Sequence, residues 1–186
     1  IYKRDFITKN KISFLPTPGA SYQDTGFNFK ALAMANKVTL TTDAFVHYRQ
    51  DNEKSSMNNP GKVMCVVDEH HSIADFIKDY PQKNDHLKEI ANIVKFNGYL
   101  WNLQRLNIDL AKQFITVMSN ELAEDRDNNA INWQLIDETN TRILNEIIDN
   151  PDRYIRRLEC QKLAKISVIV PIYNVHLYIA ECLEAL

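Results

Sequence analysis

Glycine is scarce, with only four among 186 residues, and the charges balance to a net −2. With 25% charged and 10% aromatic residues, that balance excludes a disordered or low-complexity chain. Cysteine is also sparse. Cys65, Cys160 and Cys182 are an odd number, widely spaced, and form no Cys-x-x-Cys. They give neither a disulfide framework nor a zinc site and suit a reducing cytoplasm. No apolar run approaches the ~18 residues of a membrane helix; the longest, Ile166 to Tyr173, is broken by Ser167 and Pro171. A basic face or stripe is missing too. Arg153, Arg156 and Arg157 come nearest, but they are few and interleaved with apolar residues, which argues against a nucleic-acid partner. The first residue is Ile1, with neither an initiator Met nor a signal-peptide pattern, so the expectation is a piece from inside a longer protein.

The 45% of hydrophobic residues suffice for a core. Pro16, Pro18 and Gly19 place a loop over 14–23. Asp24 to Asn36 reads as a helix with Asp24 placed to cap it. Val38 to Leu40 and Ala44 to Gln50 alternate like strands, and Val63 to Val67 is expected to be another short one. The period then lengthens. Ile73, Phe76, Ile77 and Tyr80 predict a helix ended by Pro81. Further helices are expected from Asp85 to Leu106 (burying Leu87, Ile90, Ile93, Val94 and Trp101), from Asp109 to Ala123, and from Asp137 to Ile148. Asn150 and Pro151 suit the cap and first position of one more. At Ile166 a β-branched run to Val170, followed by a helical pattern, predicts the first half of a βαβ unit. The fold class expected is mainly α with a minor β component.

Two stretches resemble the family-two inverting glycosyltransferases of the GT-A fold. One is Thr17-Pro-Gly-Ala-Ser-Tyr-Gln-Asp-Thr-Gly-Phe27, followed by His47-Tyr-Arg-Gln50 and Ser55; it is similar to the acceptor-side half of such a module. The other, Ile166-Ser-Val-Ile-Val-Pro-Ile-Tyr-Asn174 with Tyr178 and Glu181-Cys-Leu183, resembles a module's opening strand and helix. A module's end thus precedes a module's beginning, as in a protein with two tandem transferase modules. The helices between, including Tyr99-Leu-Trp-Asn102, resemble the C-terminal extension of capsule and cell-wall transferases. The resemblance implies residues 1–62 as the end of a first GT-A module, 63–163 as a helical extension or linker, and 164–186 as the start of a second. Incomplete α/β pieces at both ends would then flank a helical region.

An inverting transferase needs a base to take the proton from the acceptor hydroxyl as it attacks the anomeric carbon. Asp24 matches the family position for that base, and its capping role is compatible with it. Strand alternation would put Phe45, His47 and Arg49 on one face. The resemblance implies a divalent-metal ligand (Mn or Mg) at His47 and a donor-diphosphate contact at Arg49; a structural His47 is the alternative. Pro171, Tyr173 and Asn174 match the turn that holds the donor's nucleotide base. Two acidic motifs are read otherwise. Asp125-Arg-Asp127 follows a polar helical stretch and reads as a solvated helix end, and Asp68-Glu-His-His71 as the start of the helix carrying Ile73.

The function expected is transfer of a sugar from a nucleotide-sugar donor to a glycan acceptor, in capsular or cell-surface polysaccharide synthesis. The place implied is the cytoplasm or the inner membrane face, without a membrane span. The piece itself is expected to be inactive and to bind no metal, its donor half being absent. The alternative is a helical interaction or spacer module that assembles catalytic modules. An unpaired edge at Ile166 to Val170 would invite pairing with 38–50 or with a second copy, giving a homo-oligomer.

Overall fold

Apolar side chains recurring every three to four residues make this chain helical. The computed structural model describes residues 2–16, 21–45, 60–80 and 84–163, and these carry α-helices and no strand. The helices are α1 (Arg4–Lys9), α2 (Gln23–Met34), α3 (Cys65–Lys78), α4 (Asn84–Arg105), α5 (Ile108–Asp127), α6 (Glu138–Asp149) and α7 (Pro151–Leu163). Short 3₁₀ turns at Pro60–Lys62 and Trp133–Leu135 precede α3 and α6.

Local chemistry sets most of these boundaries. Asn107 caps α5 by accepting from the Leu110 N–H, and Asp137 caps α6 by accepting from the Asn140 N–H. Asn150 accepts from the Arg153 N–H while Pro151 fills the first position of α7. At the other end of α5, Asn129 takes a left-handed φ of 55°. The Ala130 N–H then reaches the Asp125 carbonyl and the Asn129 N–H the Arg126 carbonyl, the double bond of a Schellman ending.

The helices enclose two apolar clusters. The larger gathers Val63, Val66 and Val67 with Phe96, Tyr99 and Leu103 of α4, Phe114 and Met118 of α5, Leu144 and Ile147 of α6, and Tyr154 and Leu158 of α7. The smaller joins Phe29 of α2, Ile73 and Ile77 of α3, and Leu87 and Ala91 of α4. α3 and α4 therefore run through both. Lys162 of α7 donates to the Leu106 carbonyl just past the end of α4, closing the bundle at that point.

Several expectations change. Val63 to Val67 is no strand: it enters α3, because Val63, Val66, Val67, His70, Ile73 and Ile77 lie at i, i+3, i+4, i+7, i+10 and i+14, one helical face. Val38 to Leu40 does not form a strand either. Residues 37–45 are irregular and exposed, with Leu40 at 91%; alternation makes a strand only where a neighbour supplies the ladder. Most of Ala44 to Gln50 and all of Ile166 to Val170 lie outside the described residues. Trp101 is not on the buried face of α4: it is 51% exposed, and Tyr99, Leu100 and Leu103 fill the core instead. α1 lies in a stretch to which the sequence pattern assigns no element.

Candidate functional site

The start of α2 is built without a local cap. Its N-cap residue, Tyr22, holds a left-handed φ of 60°, costly for a bulky side chain. That conformation sends the phenol away from the helix, and its O–H donates to the Asn102 Oδ1 at 2.6 Å. Asn102 in turn donates to the Val63 carbonyl at 3.2 Å, and the Tyr22 ring meets Trp101 edge-on. Burial pushes the Tyr22 phenol up to about 12, against the pull of Arg105, so it remains a neutral donor. The next residue, Gln23, donates to the Leu15 carbonyl at 3.1 Å.

Asp24 follows at the second helical position and is exposed. It is therefore not the cap residue that the sequence pattern suggests, although its charge still faces the positive end of the helix. Tyr22 makes no side-chain capping bond. The first-turn N–H of Gly26 is satisfied from another helix: it donates to the Glu69 Oε2 at 3.2 Å.

Glu69 and His70 correct the reading of Asp68-Glu-His-His71. α3 begins at Cys65, so only Asp68 of this motif lies in the first turn. Glu69 is 1% and His70 3% exposed. Two glycines make room for them. A Cβ on Gly26 would lie 2.4 Å from the Glu69 Oε2, and one on Gly98 would lie 2.9 Å from the His70 Nε2. Glu69 thus presses on α2 and His70 on α4. The Glu69 Oε1 and both His70 ring nitrogens have no hydrogen-bond partner among the described residues. Burial raises the Glu69 carboxyl; the Gly26 N–H and Lys30 oppose the rise, and Asp24 and Asp68 add to it. Burial drives the His70 imidazole down to about 3, helped by Lys95 and His71. The ring is therefore neutral, edge-on to Tyr99 at 5.4 Å between centroids.

A second polar group bridges α3, α4 and α5. Tyr99 donates to the Glu121 Oε2 at 2.7 Å, and the His71 Nε2 lies 2.8 Å from the Glu121 Oε1. Lys95 pairs with Asp125 and stands 3.7 Å from Glu121. Asp125-Arg-Asp127 is consequently not a purely solvated helix end: Asp125 is half-buried against Lys95, while Arg126 reaches the Asp149 Oδ1 at 2.6 Å.

Of the expected site residues, Asp24 alone falls among the described ones. His47, Arg49, Pro171, Tyr173 and Asn174 lie outside them. Among the described residues no group of three or more His, Cys, Asp or Glu is placed to hold a metal ion, and no helix is long and apolar enough to cross a membrane. Glu69 is the residue that sequence reading missed. Its signal was present as a glycine inside a helical pattern, Gly26, with no turn to explain it.

The described residues thus define an all-helical domain in which a carboxylate is presented on the first turn of a helix pinned by tertiary contacts. No protein family, curated protein or solved structure matches the chain.

Proposed function

We propose that this chain is part of an inverting glycosyltransferase that moves a sugar from a nucleotide-sugar donor to a glycan acceptor, with Asp24 as the base. The observation that supports this reading is the setting of Asp24. Its carboxylate is exposed and relieved of capping duty, on a turn fixed by Tyr22 to Asn102, Gln23 to Leu15 and Gly26 to Glu69. A base must reach solvent-borne substrate yet hold its position relative to the reacting atoms. In the reaction Asp24 accepts the proton of the acceptor hydroxyl as that oxygen bonds to the anomeric carbon. The bond from that carbon to the diphosphate breaks, and the configuration inverts.

The remaining roles follow the resemblance of the Gln23-Asp-Thr-Gly-Phe27 and Ile166-to-Asn174 stretches. Arg49 meets the donor diphosphate, and Pro171, Tyr173 and Asn174 hold the nucleotide of the second module. His47 is the residue that would bind a divalent Mn or Mg ion, whose charge would offset the leaving diphosphate. The setting proposed is surface-polysaccharide synthesis at the cytoplasmic side of the membrane.

Asp24→Asn tests the role of the base in the complete protein. The transfer rate is expected to fall by roughly 10²- to 10⁴-fold. Donor binding measured by calorimetry, and the melting temperature, are expected to change little because the side chain is exposed. Near-normal turnover in the Asn variant would leave Asp24 with no part in the chemistry.

A further inference from the structure

We infer that Glu69 is a positioning residue for the turn that presents Asp24, its carboxylate standing in from α3 for the cap that α2 lacks. The first N–H groups of a helix have no partner within it, and a local Ser, Thr, Asp or Asn usually supplies one. Here the cap position belongs to Tyr22, whose side chain is committed to Asn102. The N–H of Thr25 turns back to the Tyr22 carbonyl at 2.9 Å. The N–H of Gly26, one residue further on, takes the Glu69 Oε2 instead.

Three features distinguish this contact from incidental packing. First, Glu69 is an acidic side chain removed from solvent almost completely, at 1% exposure. Burial of such a group without a partner is costly, and the Gly26 N–H is the donor that meets its Oε2. Second, residue 26 has no Cβ: an alanine there would place its Cβ 2.4 Å from the carboxylate oxygen. The glycine of Gln23-Asp-Thr-Gly26 is thus the notch that admits Glu69. Third, a neighbouring contact ties the same two helices together, Lys30 donating to the Ser72 Oγ at 2.7 Å. α2 is anchored to α3 at its first turn and again one turn later. Asp24 lies two residues before the anchored N–H, and the two carboxylates are close enough to repel. A shift of Glu69 would therefore displace the turn and change the field at Asp24.

The link to catalysis rests on the transferase reading above; the positioning of the turn does not, and the two are tested by different signals. Amide exchange by NMR on the full chain reports the turn directly. In the unaltered chain the Gly26 N–H should be protected. Glu69→Met fills similar space with no acceptor and should speed its exchange by about tenfold, the worth of one lost hydrogen bond. Glu69→Gln keeps an acceptor oxygen and should stay within about threefold of the original. In the complete protein the Met variant should lower kcat by about tenfold with the donor KM unchanged, and the Gln variant should recover most of it.

An unprotected Gly26 N–H in the unaltered chain would overturn the inference even if a variant fails to fold. So would equal exchange in the Met variant, or a Gln variant as perturbed as Met. If exchange follows the acceptor but Asp24→Asn leaves transfer intact, the positioned turn stands and the reading of Asp24 as the base falls. If Asp24→Asn abolishes transfer while Glu69→Met changes neither exchange nor kcat, the inference alone falls.

Discussion

Glu69 and His70 are consecutive on α3 and both point inward, one toward α2 and the other toward α4. A Glu-His pair in a sequence is ordinarily read as surface, and the partners that admit it here, Gly26 and Gly98, are far away along the chain. His70 has a measurable consequence. Its folded-state pKa is lowered to about 3 from an ordinary 6.5 by burial, so the unfolded chain binds its proton first as the pH falls. The stability contributed by the neutral ring is complete above 6.5 and is lost progressively between 6.5 and 3, at up to about 1.4 kcal/mol per pH unit. His70→Gln should flatten that part of the profile in urea-unfolding curves taken from pH 7 to pH 4. An unchanged slope would mean that the imidazole is not held neutral by the fold. The sequence pattern reads Asp24 as the cap of its helix, but the cap position falls to Tyr22, whose left-handed φ no pattern of side chains encodes.

At the scale of elements, the four helices from α4 to α7 were readable because each carries a one-sided apolar stripe, and α5 to α7 also a cap written in Asn, Asp or Pro. α3 was half readable. Its second half alternates at helical spacing in the open, whereas its first half, Cys65-Val-Val, also fits a strand and is decided by the packing of Val63, Val66 and Val67. The strand expected at Val38 to Leu40 failed for the complementary reason: local alternation was present, but a pairing partner is a non-local requirement. Lys95 and Asp125 show the same limit, since their ion pair joins α4 to α5 across a turn of the bundle. Helix caps, being local, should behave additively. Asn107→Ala removes the acceptor for the Leu110 N–H and is expected to cost about 1 kcal/mol, read as a lower urea midpoint with an unchanged m-value. A loss within experimental scatter would show that α5 is held by packing alone.

At the scale of the molecule, two apolar clusters share α3 and α4, and α2 joins the smaller one through Phe29. Tyr22 couples that turn to the larger cluster through Asn102 and Val63, and Glu69 couples it to the smaller one through α3. The result is an exposed carboxylate on a doubly braced helix start, the arrangement a general base requires. If this carboxylate serves an inverting sugar transfer, as proposed, the stereochemistry of the product reveals it. The complete protein should be supplied with nucleotide sugars of defined anomeric configuration, a divalent cation and a surface-glycan acceptor, and the new linkage read by NMR. Release of the nucleoside diphosphate is expected, with a product of opposite anomeric configuration to the donor. A product that retains the donor's configuration, or no turnover of any nucleotide sugar, would contradict the proposal.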